Sequence, residues 1–538
     1  MSSARSSAPK PFFERAPRDE HDRALIENVH PSGWKNPPPR GRYNLVVIGA
    51  GTAGLVAAAG AAGLGATVAL VERALLGGDC LNTGCVPSKA LLRAARAAGE
   101  MNFVRALGGS AERAPEFPKI MARLRALRSL LSRHDSAARF AALGVDVFIG
   151  EAKFAAPGVV EVASSNGVAK DAARLLYSRA VLATGARALV PDIPGLAEAG
   201  YFTNETIFNL TELPRRLVVI GGGPIGCELA QAFARLGAQV TLAEQSAQFL
   251  PREDADAAAV LLAALRRDGV DVRLNTVVES VAIAGNEKQL RVKGREGIAT
   301  LPADAILASV GRAPNVEGLN LTAVGVRYDA RAGVNVNDHL QTSNPRIFAA
   351  GDVCLPHKFT HTADASARLV IQNALFSPGP RWLPFGKRRW SDAVIPWCTY
   401  TDPEVAHVGL GEQDAAARGI AMDTNKVAMA DVDRAVLDAR VAEVRADSGA
   451  PEGFLKIHVR RGTDEILGGT MVSSHAGETI SEITLAITER IGLGALSGVI
   501  HPYPTEAEAI RKCADAYRRT RLTPGVKALL THWLRWRL

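Results

Sequence analysis

The stretch Leu45-Val46-Val47-Ile48-Gly49-Ala50-Gly51-Thr52-Ala53-Gly54 decides how this 538-residue chain folds. A β-branched run stops at a Gly-x-Gly-x-x-Gly signature, an alanine-rich pattern follows, and a second β-branched run closes on Glu72. That order reads as strand, tight turn, helix, strand. The glycines let a backbone approach a pyrophosphate at a helix N-terminus, and the carboxylate can accept bonds from ribose hydroxyls. One such signature is weak, because a glycine-packed helix–strand contact reads the same way. The same words return, however, at Leu217-Val218-Val219-Ile220-Gly221. The 172-residue offset holds without a gap as far as Glu72 and Glu244, with about half the positions identical. A repeat of that length marks two copies of one nucleotide-binding unit. The first presents Gly49, Gly51, Gly54 and Glu72, and the second Gly221, Gly223, Gly226 and Glu244. The uncharged run 45–71 has the length of a membrane span, but its glycines and β-branched ends favour the strand–helix–strand reading.

Just after the first copy stands Gly77-Gly78-Asp79-Cys80-Leu81-Asn82-Thr83-Gly84-Cys85-Val86-Pro87-Ser88-Lys89. A regular helix would hold the Cα atoms of Cys80 and Cys85 roughly 8–9 Å apart, whereas a disulfide needs about 4.4–6.8 Å. The pair closes only if the helix breaks, and Asn82-Thr83-Gly84 is an interruption of the right kind. A strained, switchable bridge suits an electron carrier better than a structural staple. Beside a dinucleotide site it implies redox catalysis, with an electron-relaying flavin in the first copy and a nicotinamide nucleotide as hydride donor in the second. Glu244 favours NAD(H) over NADP(H), because a carboxylate there repels a 2′-phosphate and no arginine follows until Arg252.

Composition is that of a soluble globular protein, too long for one core. Six cysteines argue against a secreted disulfide scaffold and fit a reducing cytoplasm. The net charge of +8 sits in the ends: residues 1–42 hold eight basic and five acidic residues, and residues 511–538 hold eight and one. A nucleic-acid footprint across a folded face is therefore not expected. The N-terminal segment is polar and Pro-rich, lacks an apolar signal-peptide core, and reads as an extended or docked arm. Between the copies lie a basic helical stretch (about 88–142) and β-like segments. Beyond them come a helix near 254–268, a strand over 346–350, a Pro/Arg/Trp-rich linker from Pro378 to Pro396, and a separate α+β unit.

These motifs, in this order from about Tyr43 to Pro524, resemble the pyridine nucleotide–disulfide oxidoreductases, with dihydrolipoamide dehydrogenase, glutathione reductase and mercuric reductase among them. The resemblance implies an α/β fold of two Rossmann-like domains, one for FAD and one for NAD, plus a C-terminal α+β dimerisation domain. The expected boundaries are a polar arm over 1–42 and an FAD-binding domain over 43–190 and 316–390. A NAD(P)-binding domain over 191–315, a dimerisation domain over 391–520 and a basic tail over 521–538 complete the chain. The resemblance also implies that Gly351-Asp352 holds the flavin's ribityl side, with Thr184, Gly185 and Gly311 in the cofactor-binding set. Cys85 becomes the thiolate facing the flavin and Cys80 the interchange thiol, while Lys89 and Glu228 match the lysine–glutamate pair beside the flavin ring. Taken alone, His501 and Glu506 in a Pro-rich turn read as structural. In the family this spacing marks an acid–base dyad, delivered from the neighbouring subunit of a homodimer, in which Glu506 orients His501.

Several segments, among them Phe359-Thr360-His361 and Pro396 to Glu404, are closest in wording to the mercuric-reductase branch. Against a Hg(II) relay stand the absence of a late vicinal cysteine pair, the absence of an N-terminal Cys-x2-Cys unit, and Glu244. The acceptor is thus a metal ion or a small disulfide, with dihydrolipoamide dehydrogenase as the alternative enzyme and a redox-sensing subunit without turnover as the alternative of another class. Cys354, His357 and His361 read either as metal ligands or as wall and core residues, and no metal is assigned. Cys227, Cys398 and Cys513 read as small buried hydrophobes. Trp533 and Trp536, with Arg535 and Arg537, read as a short helix that docks on the dimer or touches a membrane surface.

Overall fold

A computed structural model describes residues 19–110, 116–164, 172–285, 287–377, 386–439 and 452–538. Helix α1 (Glu20–Val29) precedes β1 (Arg42–Ile48), α2 (Thr52–Gly63) and β2 (Val68–Glu72), the unit read from the first signature. The run 45–71 is thus strand, helix and strand, and among the described residues no helix is long and apolar enough to cross a membrane. The chain continues through α3 (Gly78–Asn82), α4 (Cys85–Ala106) and α5 (Phe117–Ser132) to β3 (Asp146–Ala156), β4 (Val159–Ser164) and β5 (Ala173–Leu182). Strand β1 lies between β2 and β5 and runs parallel to both, and β3 joins β2. Beyond the parallel part, β3 and β5 bracket β4 in an antiparallel meander. Leu45 through Val47 are fully buried, as expected of a parallel strand covered on both faces.

The second copy repeats the plan with β6 (Arg216–Ile220), α6 (Pro224–Arg235), β7 (Gln239–Ala243), α7 (Ala255–Arg267), β8 (Asp271–Arg273) and β9 (Ala305–Ala308). These strands form a parallel sheet in the order β9-β6-β7-β8. Strand β10 (Ile347–Ala349) then returns to the first sheet beside β5, and α8 (Thr360–Ile371) packs on α2. Small residues permit that contact: a Cβ on Gly60 would lie 2.7 Å from Ile371 Cδ1. Strands β11 (Pro396–Thr399), β12 (Glu404–Gly409), β13 (Met422–Ala428), β14 (Phe454–Arg460) and β15 (Ile466–Ser473) build an antiparallel sheet in the order β11-β12-β15-β14-β13. Helix α9 (Ala476–Thr488) lies against β12 and β15, and α10 (Glu508–Thr520) against β13 and β14. Helix α11 (Pro524–Trp536) ends the chain and buries no residue.

The expected arm contains a helix in its middle, and residues 1–18 lie outside the described residues. The Asp19 carboxylate caps α1 by accepting from the Asp22 N–H at 2.9 Å. Leu25 and Val29 bury themselves against the first sheet's helical layer. Arg128, fully buried on α5, donates to Asp22 at 2.8 Å and to the Asn82 carbonyl at 3.0 Å. The arm therefore braces the helix that leads into the cysteine pair. Because a buried charge left unpaired is costly, Arg128→Ala is expected to destabilise the protein by about 3 kcal/mol. Urea unfolding followed at Trp34 would measure this, and adding Asp22→Asn should recover part of the loss.

Candidate active site

The two cysteines sit where one helix stops and the next begins. Helix α3 ends at Asn82, Thr83 takes φ −140°, and α4 starts at Cys85 after Gly84 (φ −128°, ψ −113°). A Cβ on Gly84 would lie 2.8 Å from the Asp79 carbonyl oxygen, so a side chain there would force this close turn open. The Asn82 amide pins the turn by donating to the Leu76 and Gly78 carbonyls at 3.1 and 2.8 Å. Both thiols are free. Cys85 is exposed, with its Sγ 3.2 Å from Thr360 Oγ1 at the start of α8, and Cys80 is half-buried.

Their acidities diverge. The neighbouring Cys80 thiol, with the Thr360 hydroxyl and the Lys89 charge, holds Cys85 below the ordinary cysteine range despite the desolvation of its sulfur. Cys80 is pushed the other way by Cys85, by burial and by the charge of Asp135. In the dithiol state these opposed shifts favour the thiolate at Cys85 and the proton at Cys80.

One turn along α4, Lys89 Nζ donates to Glu228 Oε2 at 2.9 Å. Glu228 is buried on α6, and its other oxygen accepts from the Tyr400 N–H at 2.9 Å. The ammonium also lies 4.5 Å from the centre of the Tyr400 ring. Coulombic attraction and the hydrogen bond to Glu228 raise the Lys89 pKa despite burial. The predicted pair is thus made, and it ties the first nucleotide unit, the second and the residue that follows β11 together.

The two nucleotide cradles are near copies. Gly49 has φ +101° and Gly221 φ +103°, and a Cβ on either would strike the carbonyl of Ala183 or Ser309 at 2.3 or 2.7 Å. On Gly54 or Gly226 it would lie 1.8 or 2.1 Å from the carbonyl oxygen of Gly49 or Gly221. Glu72 accepts from the N–H of Ala50 and Ala74 at 2.7 and 2.8 Å, and Glu244 from Gly222 and Ser246 at the same distances. No side chain caps α2 at Gly51 or α6 at Gly223, so both helix N-termini keep backbone donors for an anion. Gly351 stands beside the first cradle, where a Cβ would meet Ala53 Cβ at 3.1 Å. Thr184 Oγ1 donates to the Asn315 carbonyl at 2.7 Å, and the Asn315 N–H returns a bond to Gly185. Gly311 (φ +132°) accepts from the Leu189 N–H, and the next residue, Arg312, bridges Asp79 and Asp352, 3.5 Å from the latter. That bridge was not singled out from the sequence; the only signal was an arginine following the glycine.

Residues 43–369 match the family model described as pyridine nucleotide-disulphide oxidoreductase, and residues 395–514 match its dimerisation domain. The chain belongs to that family. It is 34% identical over 477 residues to mercuric reductase of Streptomyces lividans, covering 88% of this chain and 96% of the relative. It is 32% identical over 486 residues to dihydrolipoyl dehydrogenase of Thermus scotoductus, covering 89% and 98%. Among solved structures, the Cu(II) complex of the HOCl-induced flavoprotein disulfide reductase RclA from Escherichia coli superposes with a TM-score of 0.75 at 28% identity, over 88% of this chain and 99% of that one. The family is FAD-dependent and uses pyridine nucleotides. The first cradle suits FAD: its glycines meet backbone, the α2 N-terminus is open, and a Cβ on Gly78 would lie 2.6 Å from Gly51 Cα.

One expectation carried over from the oxidoreductase family needs correction. His501 and Glu506 do not bond each other. His501 Nε2 lies 3.1 Å from both oxygens of Glu482 on α9, and its side chain is only 5% exposed. Glu506, also buried, accepts from the His475 N–H at 2.9 Å, with His475 Nδ1 at 3.4 Å. A five-residue spacing across an irregular Pro-rich turn does not decide which way each side chain faces. Exposed hydrogen-bonding side chains in this region include Tyr503, at 70%, and His475, at 54% for its side chain.

The residues read as alternative His/Cys metal ligands also disperse. His357 stacks between Phe359 and Trp397, His361 bonds the Pro396 carbonyl at 2.7 Å, and Cys354 packs at the edge of the core. Among the described residues the one convergent group is Asp254, Glu412 and His458, where the Lys456 ammonium already lies 3.0 Å from Asp254 and 3.1 Å from Glu412. Cys227 and Cys513 are fully buried as expected, whereas Cys398 is half-buried.

Cys80 opens into a cleft of about 260 Å³ whose walls include Thr52, Leu55, Val56, Leu131, His134 and Asp135. The divergent acidities predict the order of alkylation. In the reduced protein at pH 7, iodoacetamide is expected to label Cys85 at least about tenfold faster than Cys80. The Cys85 rate should hold to lower pH than that of a free cysteine, and peptide mapping over a pH series would show equal rates if the asymmetry were absent.

Proposed function

We propose that the protein is an NADH-dependent flavoenzyme, active as a homodimer, that reduces a thiophilic metal ion such as Hg(II) through the Cys80–Cys85 dithiol. The observation that carries this reading is the division of labour between the two thiols. Cys85 is the stabilised thiolate beside Lys89, and Cys80 faces a cleft that also holds a carboxylate, Asp135. FAD, when bound, takes reducing equivalents from the nicotinamide nucleotide and passes an electron pair to the disulfide. The chain's residues would hold it through Gly49, Gly51, Gly54, Glu72 and Asp352, and would seat the nucleotide at Gly221, Gly223, Gly226 and Glu244.

Asp135 and, among the described residues, the absence of lysine or arginine from the cleft lining favour a cation over an anionic disulfide such as glutathione disulfide. The mercuric reductases among the relatives support the same acceptor. A second reading, dihydrolipoyl dehydrogenase, draws on the apolar walls at Leu55, Val56 and Leu131 and on the Thermus relative. For a disulfide acceptor, Cys80, once its proton is taken, would attack one sulfur and form a mixed disulfide while the other sulfur leaves as the first thiol. Cys85 would then attack the Cys80 sulfur, closing the Cys80–Cys85 bridge and releasing the second thiol. The group assisting acceptor turnover is assigned to the exposed Tyr503 and His475, delivered to the partner subunit. Ile500, 94% exposed within the dimerisation region, supports a surface there that a second subunit covers.

One equivalent of NADH added anaerobically is expected to give a long-wavelength absorbance band that Cys85→Ser loses and Cys80→Ser retains. No band in the parent protein would leave only the redox-sensing reading. Steady-state NADH oxidation with Hg(II), lipoamide and glutathione disulfide in parallel should be fastest with Hg(II). Tyr503→Phe is expected to lower acceptor turnover about tenfold without slowing the NADH half-reaction, whereas His501→Ala should lower thermal stability in preference to either half-reaction. Because Glu244 repels a 2′-phosphate, kcat/KM for NADH should exceed that for NADPH at least about tenfold.

A further inference from the structure

Helix α11 is amphipathic, and both of its faces are in water. Val526, Leu529, Leu530, Trp533, Leu534 and Trp536 recur at helical spacing and cover one continuous arc. All six are exposed, Trp533 at 52% and Trp536 at 73%. The opposite side carries Lys527, His532 and Arg535, and no acidic residue follows Asp515. Just before the helix, Arg518, Arg519 and Arg521 stand exposed at the end of α10. That helix is itself anchored in the core by Cys513, Ala514 and Tyr517. Thr523 starts α11 with a side-chain cap, its hydroxyl accepting from the Val526 N–H. A thirteen-residue helix roughly 20 Å long is marginal by itself in water. Its apolar arc calls for a surface to lie on.

Two occupants compete, and the observations separate them. The family's dimerisation match ends at residue 514, ten residues before α11 begins, so the helix lies outside that interface element. Pairing α11 with its own copy across a two-fold axis would also bring together two segments that each carry eight basic residues and one acidic residue over 511–538. Tryptophans on the apolar arc with cations flanking it instead match the two layers of an anionic bilayer surface. Indole and leucine side chains enter the acyl boundary while arginine and lysine meet the headgroups.

We propose that α11 is a peripheral membrane anchor that lies in the interface of anionic lipid bilayers and holds the enzyme at the membrane surface. The test is flotation of the full-length holoenzyme with vesicles of phosphatidylcholine alone or with about 30 mol% phosphatidylglycerol, compared at low salt and at about 0.5 M NaCl. The expected result is at least about tenfold stronger partitioning to the anionic vesicles, weakened by salt, with a blue shift of tryptophan emission. The double variant Trp533→Glu/Trp536→Glu should lose that partitioning about tenfold while keeping NADH oxidation and the native elution volume. Absence of flotation by the parent protein, or partitioning that the double variant leaves unchanged, would overturn the proposal. So would a double variant that elutes as a smaller species, because the arc would then be an interface between copies.

Discussion

The ion pair between Lys89 and Glu228 is the contact on which the rest of the arrangement depends. It joins the helix that begins at Cys85 to the helix that opens the second nucleotide cradle, and through the Tyr400 N–H it reaches the C-terminal sheet. A carboxylate as buried as Glu228 is tolerable only with such partners, since an unpaired ion in that place would be costly. Three elements distant in sequence therefore share one constraint. If Lys89 moves, the thiol at the head of its helix moves with it, and so does the distance between the two cradles.

The chemistry of the thiol pair follows from the same neighbourhood. Cys85 has a cation, a hydroxyl and a thiol donor around it, whereas Cys80 has a carboxylate and apolar walls. The two sulfurs are chemically distinct before any acceptor arrives. One is poised to share charge, the other to be freed when its proton is taken. The break at Gly84 makes this possible, because it places the two thiols on separate helices.

Much of this was legible in the sequence because it is enforced locally. Gly49, Gly54, Gly221 and Gly226 each face a carbonyl that a methyl group would strike, so the motif and its geometry are one fact, and the repeat declares it twice. What stayed hidden is decided by tertiary packing. Helix α1 has a polar composition, and its two buried apolar residues count only because Arg128, a hundred residues away, neutralises Asp22. The family resemblance implied that His501 and Glu506 pair, but α9 takes the first through Glu482 and its N-terminal cap takes the second. The Arg312 bridge between Asp79 and Asp352 likewise joins residues no local pattern connects.

Glu72 and Glu244 also have a structural role that owes nothing to a ligand. Each carboxylate grips the backbone on both sides of its own turn, holding the glycine loop and the residue two beyond the acid. If Glu244 sets coenzyme preference as proposed, that preference and the shape of the loop share one side chain. An attempt to redesign this protein for NADPH by exchanging Glu244 for a small or basic residue would also unfasten the loop at Gly222. A successful redesign has to supply two new acceptors for those N–H groups before it alters the charge.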